Sequence, residues 1–175
     1  YDVEPGTNPG FLYQQNTLRD ALVTALTFHI FHKHAQRVHM ANIAQTINVL
    51  QAMVLTDKER ILLTPTYHVF EMFKAHQDGI YLPIELTTPS ESHNDLPLPQ
   101  ISASASRDTT GAVTLSLANT HPTSEIPLKA EVGRSFVNVT GRILTAGTLD
   151  AHNTFDAPET VQPHPFTSII LSAGK

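Results

Sequence analysis

The spacing of apolar residues changes period at about Gly79, and this change limits the fold more than any single motif does. Before it, apolar side chains recur every three or four residues; after it, they alternate. A chain with both periods cannot form one uniform layer, so the pattern predicts an α/β segment followed by an all-β segment.

Upstream of the change, residues 1 to 16 read as loop, because "EPGTNPG" places two Pro and two Gly in seven residues. A helix is predicted to open at Thr17, where "TLRD" sets Asp20 three residues on, a variant of the capping box. Leu18, Ala21, Leu22, Ala25 and Leu26 keep helical spacing, and Phe28, Ile30 and Phe31 widen the apolar face. Lys33, His34 and Arg37 fall where cations suit the negative end of the helix dipole. "VHMANIA" then reads as a short buried strand through Val38, Met40 and Ile43, and "QTINVLQAMVLTDKER" is ambiguous. Thr64–Pro65 announces a second helix, with Pro at the tolerated first position and Tyr67, Phe70 and Phe73 recurring along it.

Downstream, "GIYLPIELTTP", "QISASASRDTTGAVTLSLAN", "SEIPLKAEV" and "RSFVNVTGRILTAG" read as short strands separated by turn chemistry. "RDTTG" is predicted to be a hairpin loop with Gly111 at positive φ. The Pro-rich stretches "TTPSESHNDLPLPQ" and "DAPETVQPHPF" read as long connections, and the segment as a whole as an antiparallel sandwich. "FTSIILSAGK" reads as a strand entering a turn with no partner after it, and the chain opens on Tyr1 rather than Met. An unpaired apolar edge of this kind is normally avoided, so the expectation is a piece truncated at both ends.

Composition removes several classes of function. Hydrophobic residues make up 41% of the chain and charged residues 15%, which predicts a packed core rather than disorder. Net charge is −5 and no basic run occurs, which weighs against nucleic acid and anionic membrane surfaces as partners. Absence of cysteine excludes disulfides, zinc ribbons and thiol nucleophiles and leaves the compartment open. Apolar runs fall far short of a membrane span.

Four of the ten histidines lie in "FHIFHKHAQRVHM". Helical metal sites place ligands one turn apart, usually with a carboxylate. Here His29 and His32 are three apart, His34 lies about 200° round the helix from His32, and no Asp or Glu occurs between Asp20 and Asp57. His29 sits among Leu22, Ala25, Leu26 and Phe28, a core or boundary position, while His32 and His34 suit the terminal carbonyls of the helix. The cluster, His39 included, therefore reads as structural, with neither metal nor cofactor called for. "NVT" at Asn138 matches a glycosylation sequon inside a predicted strand, a weak signal. Asp2, Glu4, Asp20, Glu59 and Glu71 are scattered, as solvated or capping residues would be. Gln45 and Asn48 follow the predicted strand, where an α/β barrel puts active-site groups. Loop polarity alone explains them better.

A resemblance adds to this reading. "YDVEPGTNPGFLYQQNTLRDALV", "MANIAQTINVLQAM", "LTPTYHVFEMFKAHQ" and "LDAHNTFDAPETVQP", in this order and spanning essentially the whole chain, resemble the C-terminal part of bacterial α-L-arabinofuranosidases of glycoside hydrolase family 51. The resemblance implies the last βα units of a (β/α)8 TIM barrel over residues 1–77. An incomplete antiparallel β-sandwich of jelly-roll type would follow over residues 78–175. It implies retaining hydrolysis of terminal non-reducing α-L-arabinofuranosyl residues from arabinan and arabinoxylan, by a glutamate nucleophile and a glutamate acid/base set roughly 5 Å apart. Both glutamates would lie upstream, the nucleophile just before Tyr1, so no catalytic residue is assigned within the chain and the piece alone is expected to be inactive.

Gln45, in "NIAQTIN", matches a glutamine that hydrogen-bonds the arabinofuranose, a task that suits an amide because it both donates and accepts. Leu12 aligns more loosely with an apolar residue on the aglycone side, and Asn48 is read as holding the loop rather than touching sugar. The implied partners are arabinofuranosyl oligosaccharides and polysaccharides and further copies of the enzyme. The implied compartment is cytoplasmic, or periplasmic or secreted if a signal peptide precedes the chain. The competing reading is a structural or assembly module without catalysis. Sugar binding by the sandwich itself has little support, because Trp is absent and only Tyr81, Phe136, Phe155 and Phe166 are aromatic after residue 77.

Overall fold

In the computed structural model, residues 2–3, 14–44, 46–93, 95–133, 136 and 138–171 are described. Two short antiparallel strands, β1 (Asp2–Val3) and β2 (Gln14–Gln15), lead into helix α1, Leu18–Lys33. The start of α1 is the one predicted. Asp20 accepts hydrogen bonds from the backbone N–H of Thr17 at 2.8 Å and from its hydroxyl at 2.9 Å. The first helical N–H groups have no partner inside a helix. Those of Leu18 and Arg19 are satisfied from the far end of the chain, by the carbonyls of Ala151 and Leu149, each at 2.9 Å.

A hairpin follows, β3 (Val54–Asp57) paired antiparallel with β4 (Arg60–Leu63). Its two-residue turn holds Lys58 at φ 55°, a left-handed conformation that β-carbon sterics disfavour. This hairpin makes only the end of the ambiguous segment extended chain; residues 46–53 before it are loop and turn. Helix α2, Pro65–Phe73, begins as predicted, with the Thr64 hydroxyl accepting from the Tyr67 N–H at 3.4 Å, and runs into a 3-10 turn at Lys74–His76.

The largest sheet has three strands: β5 (Ile80–Leu82), β8 (Ile101–Arg107) and β9 (Val113–Asn119), with β8 in the centre and both pairings antiparallel. The β8–β9 hairpin has the predicted loop. Gly111 adopts φ 89°, and the Asp108 carboxylate accepts from the backbone N–H groups of Thr110 and Ala112 at 2.8 and 2.9 Å. Because side chains alternate between faces, the register gives this sheet two different surfaces. Ser102, Ser104 and Ser106, opposite Ala118, Ser116 and Thr114, lie on the face toward the helices; Ala103 and Ala105, opposite Leu117 and Leu115, lie on the other.

Several expectations fail. Residues 38–43 form no strand and Met40 is 76% exposed. A parallel strand takes its hydrogen bonds from flanking strands, and none runs beside this segment among the described residues. The stretch expected to be a long connection contains a hairpin, β6 (Ser90–His93) with β7 (Leu96–Pro99), its turn at Asp95 having φ 64°. "SEIPLKAEV" is irregular, and of the following segment only β10 (Arg142–Leu144) is a strand among the described residues. It pairs with β11 (Pro163–Pro165), inside the second expected connection, in a ladder too short to extend far because Pro donates no N–H. Residues 166–171 are not strand, and Ile170 is 92% exposed.

The core joins the two periodic regions. Leu18, Ala21, Ala25 and Phe28 of α1 and Val69 of α2 cluster with Ala118 of β9 and with Val161. Phe28 meets Phe70 edge-on at 4.8 Å between ring centroids and Phe73 at 5.0 Å. Among the described residues, no helix is long and apolar enough to cross a membrane.

Candidate functional site

The segments that carry the family resemblance meet at the N-terminal end of α1. Asn16 donates its amide to the Ala52 carbonyl at 2.5 Å, and the Thr64 hydroxyl donates to the same oxygen at 3.0 Å. Gln51 donates to Asp20 at 3.0 Å. Asn153 donates to the carbonyls of Leu63 and Val161 at 2.8 and 3.0 Å and accepts from the Val161 N–H at 2.7 Å. Thr17, Ala52 and Val161 are completely buried. Four stretches distant in sequence are therefore tied by side-chain-to-backbone hydrogen bonds in a dry setting, where leaving one unmade costs more than making it gains.

This knot holds the loop after residue 45. Asn48 and Gln51 both lie in the left-handed region, at φ 52° and 57°. Each has a side chain that fixes it there. Asn48 donates to the Thr56 hydroxyl and accepts from the Thr56 N–H, both at 2.7 Å, and Gln51 is fastened to Asp20. Strain held by specific partners is the signature of a loop kept in one shape. Asn48 thus braces the loop, the role that the family resemblance implied for it. The two residues predicted to meet substrate, Gln45 and Leu12, lie outside the described residues.

The acids whose partners are described serve as structural charges. Asp20 caps α1; burial works to raise its carboxyl, and the hydrogen bonds it accepts, those from Thr17 and Gln51 among them, lower it by more, to a net position below 3.8. Glu71 is paired with Arg142 through two contacts of 2.8 and 3.1 Å, which hold its carboxyl below the usual range and tie α2 to β10. Asp57 pairs with Arg60 across the β3–β4 turn, and the shallow depression there, lined by Asp57, Lys58, Glu59 and Arg60, is formed by the hairpin tip itself. Glu4 lies outside the described residues.

The histidines take up a different arrangement. His29 is 5% exposed, as its core position predicted, and bonds Ser102 Oγ through Nδ1 at 2.8 Å and Ser116 Oγ through Nε2 at 3.1 Å. His32 was expected to serve the terminal carbonyls. Its ring instead turns toward the sheet and bonds Ser104 Oγ at 2.9 Å, because a serine hydroxyl there offers the half-buried imidazole a partner. His76, from the 3-10 turn, bonds Ser106 and Ser116 at 2.8 and 3.0 Å. Ser104 and Ser116 complete the network at 2.9 Å. Burial pushes His29 and His76 down to about 4, with the neighbouring histidines adding to the shift, and lowers His32 as well. Among the described residues, no group of three or more His, Cys, Asp or Glu side chains is arranged to hold a metal ion.

Sequence reasoning missed Asn153, Gln51 and the serine face. For the serines a signal was present: "ISASAS" alternates small polar and small apolar residues with period two, and the polar set meets the histidines. For Asn153 and Gln51 no local pattern exists, because their partners are remote in sequence.

Compared with known proteins, residues 1–175 match the family model described as the alpha-L-arabinofuranosidase C-terminal domain. The chain is 45% identical over 176 residues to the intracellular exo-alpha-L-arabinofuranosidase of Bacteroides ovatus, covering 99% of this chain and 34% of that protein. Its fold superposes on the family 51 arabinofuranosidase from Xanthomonas axonopodis pv. citri with a TM-score of 0.80 and 46% identity, over 95% of this chain and 34% of the other. The arabinose complex of the Thermotoga maritima alpha-L-arabinofuranosidase shares the fold at a TM-score of 0.73 and 21% identity, over 95% and 36% of the two chains. The chain spans about a third of the length of these relatives.

Proposed function

The chain belongs to the α-L-arabinofuranosidase C-terminal domain family, and from this premise we propose that it supplies the C-terminal third of a retaining glycoside hydrolase. The enzyme removes terminal non-reducing α-L-arabinofuranosyl residues from arabinan- and arabinoxylan-type chains. Residues 1–77 contribute the last βα units of a (β/α)8 barrel, and residues 78–175 contribute the jelly-roll sandwich. The nucleophilic and acid/base glutamates come from the rest of the barrel, roughly 5 Å apart. The acids with described partners here stay occupied with helix capping and ion pairs.

The observation that carries this reading is the braced loop beside Gln45. Asn48 and Gln51, both in left-handed conformation and both clamped by hydrogen bonds, give the residues after Gln45 one fixed shape. A preorganised loop suits a glutamine that must present donor and acceptor to the hydroxyls of one sugar ring. Leu12 is assigned to the aglycone side. Further copies of the enzyme form its assembly, and the cytoplasm is its compartment, in keeping with the Bacteroides ovatus relative, which is named an intracellular enzyme. In the enzyme carrying this chain, Gln45→Ala should lower kcat/KM for an aryl α-L-arabinofuranoside by roughly 10- to 200-fold, as loss of one or two sugar hydrogen bonds would. An unchanged kcat/KM removes Gln45 from the pocket.

A further inference from the structure

The sheet face that meets the helices is unusual for a core: it presents serine hydroxyls where aliphatic side chains would bury more apolar area. Ser102, Ser104, Ser106 and Ser116 are each engaged by an imidazole, and His32 and His76 lie with ring centroids only 4.7 Å apart. A neutral imidazole has one donor and one acceptor nitrogen, and a hydroxyl can answer either. The network is therefore satisfied without any charge.

From this geometry we propose that His29, His32 and His76, with Ser102, Ser104, Ser106 and Ser116, form an acid-sensitive latch that holds α1 and the 3-10 turn onto the three-stranded sheet while the imidazoles are neutral and releases them when protons are taken up.

The surroundings decide the sign. Helix α1 brings His29 and His32 to the cluster, α2 brings the uncharged Phe73, and the 3-10 turn brings His76. Strands β8 and β9 bring serines, and neither strand contains an acidic residue. Arg107 closes β8 on the opposite face, level with Ile80 and Val113. Of the nearby carboxylates, Asp20 caps the first turn of α1 and Glu71 is paired with Arg142, while Lys74 is exposed. Protonation would leave the serine hydrogen bonds feasible but would place adjacent, largely desolvated positive charges together with no counter-ion beside them among the described residues. The folded-state values of His29 and His76 lie below the ordinary 6.5. The unfolded chain therefore binds more protons, and stability falls as pH drops below about 6.5 toward the folded value near 4.

The test is urea unfolding of the full chain at several pH values between 7 and 5, a range above the titration of ordinary carboxylates. The unfolding constant should rise as pH falls, by up to about tenfold per pH unit for each of His29 and His76. The double variant His29→Gln/His76→Gln, which keeps hydrogen-bonding side chains but cannot titrate, should lose most of that slope, while His34→Gln should keep it. Should the double variant fail to fold, imidazole proton titration of the unaltered chain decides the matter. His29 and His76 should then titrate well below 6.5, toward about 4. A flat urea midpoint from pH 7 to 5, a double variant with the original slope, or cluster histidines that titrate at or above the ordinary 6.5 would each overturn the latch.

Discussion

At the scale of single residues, the chain relies on polar side chains that reach across the sequence to backbone groups. Asn153 is 7% exposed and makes three hydrogen bonds, two to carbonyls and one from an N–H, around the fully buried Val161. Asn153→Ala would strand all three groups and should lower stability by about 1–3 kcal/mol in urea unfolding; a smaller loss would show that water replaces the amide. Lys58 points the other way. Its side chain is exposed while its backbone sits at φ 55°, so the folded state bears a steric cost that glycine would not. Lys58→Gly should raise the thermal midpoint by an amount matching about 1 kcal/mol, with no change in the β3–β4 pairing. Neither role could be read from sequence, since one depends on a partner strand of the fold and the other on a turn inside an ambiguous segment.

At the scale of elements, the two helices were the legible part. Their starts are encoded within four residues, Thr17 to Asp20 and Thr64 to Tyr67, and local signals of this kind survive any tertiary context. The segment at 38–43 was not legible, because a buried strand is defined by neighbours and not by its own apolar residues. The β8–β9 hairpin was legible through its loop, where Asp108 and Gly111 set the turn. Asp20 links helix capping to loop bracing, since one carboxylate serves Thr17 and Gln51 together. Asp20→Ala should therefore cost about 0.5–2 kcal/mol for the cap, or more as the 46–53 loop loosens. Because its folded-state value is depressed, the stabilisation is fully present above pH 3.8 and is lost as pH falls through the lower folded value. A stability profile of Asp20→Ala that parallels the unaltered chain below pH 4 would contradict that assignment.

At the scale of the whole molecule, the change of period at Gly79 marks a change of element type but not a gap in packing. Phe28 and Val69 share a core with Ala118 and Val161, and the serine–histidine network spans the same boundary. The helices and the sheet are therefore one unit of packing. The candidate site was legible only through the family resemblance: nothing local distinguishes Gln45 from an ordinary loop glutamine, and the braces at Asn48 and Gln51 emerge only when Thr56 and Asp20 are brought beside them. The face of the sheet opposite the helices, with Leu115 and Leu117 at 41% and 49% exposure, matches a chain that completes its packing within a longer protein. The most direct measurement is hydrolysis of an aryl α-L-arabinofuranoside by this chain alone and by a fusion in which it follows the first two thirds of the Bacteroides ovatus relative. The proposed role predicts turnover by the fusion, reduced by Gln45→Ala, and none by the chain alone. Turnover by the purified chain itself, or none by a folded fusion, would contradict it.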